Sequence, residues 1–466
     1  MSFQEPVHSA TWSASDPPKA PLRGSRMGWI GHRRRQTQDD ESVTLCRRLH
    51  PVSSYQEGCG SNVGVFFDDA VHDELGIWAL GLAPSGGADG GEVQAMAAAT
   101  APGDDTLFYD AWTAMASRLA AQGDEAAAAG HRRSAREAYQ HAATYFGLAY
   151  RPLFGVPADP RLIDAFHRSM DSFAKAAALF DPPMQLLEIP YDGTTIPGYF
   201  LPAEGSAGRQ GPLVIATNGY DATIVDSFFA MAVAASRHGY HCLVFDGPGQ
   251  GRALIDQELP LRPDWEHVVT QVVDFVLARA DVDPDRIALS GWSLGGYLAP
   301  RGASGEHRLA ACIADPGVFG MAEGMRALAG RFGLSKEVVN RLPDVDPSVL
   351  QPMSQVIEGD RGLRWRIVQR GYMVHGVDSL SDYLRAAMEF TLEGRVQDIR
   401  CPTLLTMAEN DVNSVGAPAF YDALVCPKQL LRFTAGEGAG DHCEMLNRTL
   451  VNRRIYDWLD DTLSAR

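Results

Sequence analysis

Ser293 is the residue of this sequence whose surroundings best suit a nucleophile. It stands at the centre of Gly-Trp-Ser-Leu-Gly, residues 291–295, directly after the apolar run Arg286 to Ser290 and before a helical pattern. A serine in a tight turn between a strand and a helix exposes its hydroxyl above the sheet, and small flanking residues let the two backbones approach closely. The pattern therefore predicts that Ser293 attacks a carbonyl group.

A serine nucleophile needs a base, and the base needs an acid to orient it. His442 follows the apolar run Gln429 to Phe433, and Asp411 follows the run Thr403 to Met407. Both residues thus lie where a strand ends, at the same sheet edge as Ser293, and in the chain order Ser, acid, His that accompanies this turn. The spacing predicts a catalytic triad of Ser293, Asp411 and His442.

Other titratable residues near these positions keep alternatives open. Glu409 and Asp441 are alternative acids, although carboxylates in such loops more often cap backbone N–H groups. Among the remaining histidines, only His375 is retained, as a pocket residue.

Two backbone N–H groups are candidates for an oxyanion hole. The N–H of Leu294 comes at the start of the helix that follows Ser293, where negative charge is stabilised. The second candidate is the N–H of Tyr220, because Gly219 lets the chain turn sharply after the apolar run Leu213 to Thr217. An ordinary Asn-Gly turn is the alternative for that loop.

The sequence indicates neither a cofactor nor a metal. Residues 246–251, Asp-Gly-Pro-Gly-Gln-Gly, follow a strand but have the spacing G-x-G-x-G with an internal proline, which favours a structural turn over a dinucleotide site. Seven cysteines without a C-x-x-C pair argue against a structural zinc site or a disulfide framework.

The elements that position these residues begin at Gln185, where strand-like runs alternate with amphipathic helices. The predicted strands are Leu186 to Pro190, Ile196 to Leu201, Leu213 to Thr217, His241 to Phe245, Ile287 to Ser290, Ala310 to Ala314, Thr403 to Met407 and Gln429 to Phe433. The predicted helices are Ser227 to His238, Trp265 to Arg279, Leu294 to Ala303, Ala417 to Leu424 and Cys443 to Leu459. This alternation predicts an α/β protein with a mostly parallel, twisted sheet, helices on both faces, and ligands bound at the carboxyl ends of the strands.

Four blocks of the sequence resemble α/β-hydrolases of the 2,6-dihydroxypseudooxynicotine hydrolase type and the fungal yellowish-green pigment hydrolases that shorten polyketides. The blocks are Thr217–Asp221, Phe245–Gly251, Arg262–Glu266 and Val282–Pro300. The resemblance covers roughly residues 70–465. It implies the α/β-hydrolase fold and cleavage of C–C bonds next to carbonyls, with the triad carried onto Ser293, Asp411 and His442. The nicotine-pathway members also use a glutamate near the site; Glu323 and Asp315 are the candidates here, with a capping or structural role as the alternative for each.

The remaining length is assigned to additions around this fold. Residues 1–60 lack periodicity and predict a mobile N-terminal arm, and residues 61–182 predict a helical N-terminal domain that helps cover the site. Residues 183–466 predict the catalytic domain. Because 118 residues separate Ser293 from Asp411 and the core fold needs about 60 there, the surplus predicts a helical cap insertion at about 318–394.

Five residues near the nucleophile or within the surplus are candidates for the substrate pocket, and packing in the core is the alternative for the aromatic ones. They are Trp292, Asp315, Glu323, Trp365 and His375.

Composition restricts the partners. The 466 residues carry a net charge of −17, which argues against nucleic acid and anionic membrane surfaces. The basic run Arg33–Arg35 is not followed by an apolar segment, so solvated charges are favoured over an export signal. We therefore expect a cytoplasmic protein with a small-molecule carbonyl substrate and no nucleic-acid or membrane partner. The oligomeric state is open, with a homodimer as one option because helical insertions often form dimer contacts.

These observations predict a serine hydrolase that cleaves a C–C bond by retro-Claisen chemistry, or an ester bond, in an aromatic or polyketide-like small molecule. The same site would also suit thioester hydrolysis or intramolecular acyl transfer with cyclisation in natural-product biosynthesis. A different class of function is a non-catalytic small-molecule binding protein on the hydrolase fold.

Overall fold

The structure of the chain, a computed structural model, describes residues 64–206 and 208–464. The predicted arm at residues 1–60, with its basic run Arg33–Arg35, lies outside the described residues. The described residues all belong to one compact unit of the chain, residues 54–466. The predicted division of the chain into domains remains a prediction.

Eight strands form one sheet in the order β1-β2-β4-β3-β5-β6-β7-β8. The strands are β1 (Gln185–Tyr191), β2 (Thr194–Leu201), β3 (Gly211–Thr217), β4 (His241–Phe245), β5 (Val282–Trp292), β6 (Ala311–Asp315), β7 (Thr403–Ala408) and β8 (Lys428–Phe433). Strands β1 and β2 pair antiparallel as a hairpin, β2 pairs antiparallel with β4, and β3 to β8 run parallel. The predicted α/β class with a mostly parallel sheet is confirmed.

Helices cover both faces of the sheet. Alternate side chains of the central strands point to opposite faces, so each strand contributes to a core on either side. Leu213 and Ile215 of β3 join one core cluster, with helices Trp265–Leu277, Gly295–Gly305 and Ala417–Ala423. Val214 and Ala216 join the other cluster, with the helical stretch that spans residues 224–237 and the C-terminal helix Arg448–Ser464. Parallel strands buried on both faces account for the apolar runs in the sequence.

Within residues 64–184, five α-helices precede the sheet and have their own core. They are α1 (Ala70–Leu82), α2 (Gly90–Ala98), α3 (Asp105–Ala128), α4 (Arg132–Ala149) and α5 (Pro160–Ala178). Trp112, Tyr145 and Phe166 are buried at the centre of this core. Helix α1 begins after Asp69, whose carboxylate accepts the N–H groups of the first turn.

The segment between β6 and β7 is also helical and has a separate core around Met353 and Leu384. Its helices are Ala322–Arg331, Lys336–Arg341, Gln351–Gly359, a continuous helix at 361–375, and Leu380–Met388. We call residues 361–375 the bridging helix. Its central part, Trp365–Gly371, has π-helical geometry, which is often found at functional sites.

The C-terminal helix differs from its prediction, because it begins at Arg448 rather than at Cys443. Cys443 and Glu444 have φ values of 54° and 48°, so the chain cannot enter a helix directly after His442.

No helix among the described residues has the length and apolarity needed to cross a bilayer.

Candidate active site

Ser293 occupies a strained turn between β5 and the helix Gly295–Gly305. Its φ is 59°, and its N–H donates to the carbonyl oxygen of Asp315 at 2.7 Å. The turn depends on glycine: a Cβ atom on Gly291 would lie 1.8 Å from the carbonyl oxygen of Gly295, and one on Gly296 would lie 1.8 Å from that of Pro316. Backbones this close leave no room for side chains at Gly291 and Gly296, so the strand and the helix can meet at Ser293 only because both positions are glycine.

The structure brings Asp411, His442 and Ser293 into one hydrogen-bonded chain. The Nε2 atom of His442 lies 2.9 Å from the Oγ atom of Ser293, and its Nδ1 atom lies 2.8 Å from the Oδ2 atom of Asp411. Asp411 is fixed in turn by the N–H of Asn413, which donates to Oδ1 at 2.9 Å. The arrangement can pass a proton from the hydroxyl to the imidazole while the carboxylate orients the ring.

The two alternative acids bind backbone instead. The carboxylate of Glu409 accepts the N–H of Ala435 at 2.8 Å, and that of Asp441 accepts the N–H of Leu446 at 3.1 Å.

Burial and charge act in opposite directions on the histidine. Burial is the largest single influence on the pKa of His442 and acts to lower it, but Asp411 and Cys443 together outweigh burial, so the pKa lies well above that of an ordinary histidine. For Asp411, burial acts to raise the pKa, yet His442 and the local N–H donors bring it below its ordinary value. The pair therefore stabilises an imidazolium next to the serine, which is the species formed when the serine loses its proton.

The two candidate oxyanion donors are available. Among the described residues, neither the N–H of Leu294 nor that of Tyr220 donates to another protein group. The loop at residues 218–222, which we call the oxyanion loop after its candidate donor Tyr220, lies against Ser293, since a Cβ atom on Gly219 would be 2.8 Å from the Cβ atom of Ser293.

Gln250 fixes the orientation of that loop. Its Nε2 atom donates to the carbonyl oxygens of Asn218 and Gly219, each at 3.0 Å. In a planar trans peptide the N–H points opposite to the carbonyl, so holding the Gly219 carbonyl directs the N–H of Tyr220 the other way. Sequence reasoning treated residues 246–251 only as a structural turn and missed this role.

Asp315 lies beneath the serine in a buried ion pair. Its carboxylate accepts from Arg448 at 2.7 Å and from Thr406 at 2.9 Å. Glu444 is buried beside it, and burial together with the Asp315 carboxylate raises the pKa of Glu444 well above its ordinary value. These contacts join β6, β7 and the C-terminal helix below the triad.

The other candidate pocket residues have different surroundings. Trp365 is buried and donates its indole N–H to the carbonyl oxygen of Arg151 at 2.9 Å. His375 packs among aromatic rings, including that of Tyr220 at 5.5 Å, and burial lowers its pKa to about 4. Glu323 is exposed on the helix Ala322–Arg331.

Trp292 leads to a residue that sequence reasoning missed. Its ring lies 4.6 Å from the ring of Trp78, which is also 6.4 Å from the His442 ring at an interplanar angle of 27°. Helix α1 therefore reaches His442. The sequence of α1 shows only helical periodicity and carries no signal for this contact.

The bridging helix joins the two helical segments over the site. Arg361 bonds Asp69 at 2.8 Å and Asp105 at 2.7 Å, and Arg366 pairs with Glu74 of α1. Arg370 reaches the oxyanion loop through Asp221, at 2.6 Å from Nε to Oδ1. That carboxylate also pairs with Arg151, which follows α4, at 2.9 Å.

Among the described residues, no group of three or more His, Cys, Asp or Glu side chains is arranged to hold a metal ion.

Comparison with known proteins agrees with this geometry. A family model described as the alpha/beta hydrolase family matches residues 213–454. The hydrolase LUC6 from Fusarium sp is 33% identical over 83% of this chain and 95% of its own length. The 20-hydroxy-prefusarin hydrolase FUS2 from Gibberella moniliformis is 32% identical over 86% of this chain and 98% of its own.

Among solved structures, 2,6-dihydroxy-pseudo-oxynicotine hydrolase aligns with a TM-score of 0.64 and 24% identity, over 83% of this chain and 96% of its own. At that identity the likeness concerns the fold, and it includes the helices before the sheet. The sheet order, the strand–serine–helix turn and the family match lead to one conclusion: this chain is an enzyme of the alpha/beta hydrolase family.

Proposed function

We propose that this enzyme is a serine hydrolase that cleaves a C–C bond next to a carbonyl group in an aromatic or polyketide-like small molecule. Ser293 is the nucleophile, His442 the base, and Asp411 the acid that orients it. The observation that carries the proposal is the continuous chain from the Asp411 carboxylate through His442 to the Ser293 hydroxyl, with links of 2.8 and 2.9 Å.

In the first step, the Oγ atom of Ser293 bonds to the substrate carbonyl carbon, and its proton passes to Nε2 of His442. The carbonyl oxygen becomes an anion that accepts hydrogen bonds from the N–H groups of Leu294 and Tyr220. Asp411 stabilises the imidazolium throughout, in agreement with the raised pKa of His442.

In the second step, the bond between the carbonyl carbon and its carbon neighbour breaks, and its electron pair leaves with the departing fragment. That fragment must be a stabilised carbanion such as an enolate or phenolate tautomer, and His442 returns a proton to it. A water molecule, deprotonated by His442, then attacks the acyl-enzyme and releases a carboxylic acid. The overall reaction adds one water.

The names of similar proteins support this substrate class. One relative is named for 20-hydroxy-prefusarin and the structural neighbour for 2,6-dihydroxy-pseudo-oxynicotine. Both names denote hydroxylated compounds, and we infer a hydroxylated substrate for this enzyme. The cytoplasmic location and the homodimer remain predictions that cell fractionation and light scattering would test.

Labelling with a fluorophosphonate probe tests the nucleophile. We expect the wild type to be labelled at Ser293 and Ser293→Ala to lose both labelling and turnover, the latter by several orders of magnitude. An unlabelled wild type that still binds small molecules would instead indicate a non-catalytic binding protein. Product masses from candidate substrates in ¹⁸O-water separate the reactions: C–C cleavage gives a labelled acid and a carbon-protonated fragment, an ester gives an acid and an alcohol, and cyclisation adds no water.

A further inference from the structure

Helix α1 presents two different side chains to the space in front of the triad. Glu74 and Trp78 are four residues apart, so they lie one turn apart on the same helix face. The Trp78 ring is 6.4 Å from the His442 ring and 4.6 Å from the Trp292 ring. This face of α1 thus forms a wall beside the catalytic histidine, and the proposed mechanism gives neither residue a role.

One carboxylate oxygen of Glu74 accepts no hydrogen bond from the described part of the protein. Its Oε2 atom pairs with the Nη2 atom of Arg366, and within the described part of the chain no group donates to Oε1. The side chain is 41% accessible. A carboxylate oxygen that is accessible and without a protein donor can accept a hydrogen bond from a ligand.

Glu74 and His442 are both partly accessible and lie near each other. The His442 side chain is 32% accessible, and its ring is 6.4 Å from that of Trp78, which lies one turn along α1 from Glu74. Burial acts to raise the pKa of Glu74, but Arg366, Arg370 and His442 outweigh it, so the pKa lies below its ordinary value. A ligand that contacts His442 is therefore within reach of the face of α1 that carries Glu74.

We propose that Glu74 and Trp78 form a recognition subsite, in which the Trp78 indole packs against a planar conjugated part of the substrate and Glu74 Oε1 accepts a hydrogen bond from a substrate hydroxyl. The subsite rests on the proposed function, because it requires the substrate carbonyl to be held at Ser293. A neutral hydroxyl suits the site better than an ammonium group, since Arg366 and Arg370 already balance the charge of Glu74. An anionic substrate oxygen has no proton to donate to Oε1 and would gain no hydrogen bond there.

The competing explanation is that Glu74 only ties α1 to the bridging helix. The two roles differ in what Arg366 contributes. If Glu74 binds a hydroxyl, removal of the Arg366 charge leaves the acceptor in place. If Glu74 is only a tie, Arg366→Gln and Glu74→Leu remove the same ion pair and have the same effect.

Arylboronic acids test the subsite without a known substrate. The Oγ atom of Ser293 adds to the trigonal boron and its proton passes to His442, which gives a tetrahedral boronate anion with no leaving group. The probes are phenylboronic and 2-naphthylboronic acid, each with and without a hydroxyl at each ring position. Inhibition constants are measured by competition with the fluorophosphonate.

For the wild type we expect at least one hydroxylated isomer to bind about tenfold more tightly than its parent, as one charge-assisted hydrogen bond provides. Glu74→Gln should reduce that advantage to about threefold and Glu74→Leu should abolish it, with the parent compounds affected less. Arg366→Gln should keep it. Trp78→Leu should weaken the naphthyl parent about fivefold and more than the phenyl parent.

Any of three results would overturn the subsite: no hydroxylated isomer preferred by the wild type, a preference that persists in Glu74→Leu, or equal losses of the preference in Glu74→Leu and Arg366→Gln. Failure of the arylboronic acids to bind an enzyme that the fluorophosphonate labels would also overturn it. If neither reagent reacts with Ser293, the proposed function itself fails and the subsite falls with it.

Discussion

Two regions of the molecule hold their residues in different ways. One is the carboxyl edge of the sheet, with Ser293, Asp411 and His442; the other is the pair of helices α1 and the bridging helix, which we call the helical layer. At the sheet edge, Ser293 is fixed by backbone contacts so close that Gly291 tolerates no side chain. In the helical layer, α1 and the bridging helix are joined by long side chains, such as Arg361 to Asp69 and Arg366 to Glu74. Backbone contacts define a position closely, whereas ion pairs between partly accessible side chains can separate.

This difference assigns separate tasks to the two regions. Under the proposed function, the sheet edge carries the reacting atoms, and small displacements there cost rate. The helical layer carries the proposed recognition subsite, so changes there should alter binding more than the chemical step. Substitutions in the two regions should therefore separate into effects on kcat and effects on KM.

Replacement of Asp411 by asparagine should have the largest effect. The amide keeps the shape of the side chain but neither fixes the His442 tautomer nor stabilises its imidazolium, so kcat should fall about ten-thousand-fold. Because Asp411 raises the pKa of His442, its loss should lower that pKa. The base is active when neutral, so the rise of residual kcat/KM with pH should shift to lower pH. Steady-state kinetics across pH 5–9 measures both.

Glu409→Gln is the matched control for this change. Glu409 is two residues away and accepts only a backbone N–H, which a glutamine oxygen can also accept. Its kinetics should stay within a few-fold of the wild type. If kcat fell ten-thousand-fold in Glu409→Gln and stayed near the wild-type value in Asp411→Asn, then Glu409 rather than Asp411 would be the acid of the triad.

Gln250→Leu should have an intermediate effect and tests whether the oxyanion loop belongs to the sheet edge. Without the amide, the carbonyls of Asn218 and Gly219 lose their donor, and the peptide that carries the Tyr220 N–H can rotate. Loss of one oxyanion donor costs about 100- to 1000-fold in kcat, so a loss of support should cost about 10- to 100-fold with little change in KM.

Gln257→Leu is a suitable comparison, since Gln257 also donates its amide to a backbone carbonyl, that of Thr195, at 2.9 Å. It should leave kcat near the wild-type value. If Gln250→Leu raised KM alone, the oxyanion loop would act in substrate binding, as the helical layer is expected to do. Its assignment to the sheet edge would then be wrong.

The sequence predicts the sheet edge better than the helical layer for a physical reason. Ser293, Asp411 and His442 each follow a strand, buried parallel strands are recognisable as apolar runs, and strand ends converge on one edge. The structure brings these three residues together as expected. Gln250 also follows a strand, but its partners are about thirty residues away, and nothing local shows that its amide turns toward Gly219.

The sequence of α1 does not indicate the proposed role of Glu74 and Trp78. On α1 they occupy ordinary amphipathic positions, and their role depends on how α1 packs against Trp292 and the bridging helix. The C-terminal helix begins later than predicted because Cys443 and Glu444, both buried beside Asp315, adopt a left-handed backbone that neither residue type favours.

Arg361→Gln should have the smallest effect and tests the helical layer directly. Arg361 bonds Asp69 and Asp105, so its loss should weaken the attachment of the bridging helix and lower the free energy of unfolding by about 1–2 kcal/mol. An enclosure that opens more often should raise KM several-fold while kcat changes less than twofold. Arg385→Gln, which removes an exposed pair with Asp344 within the same segment, should change neither. A fall in kcat with unchanged KM for Arg361→Gln would mean that the layer positions catalytic atoms as well as substrate, and the division of tasks would not hold.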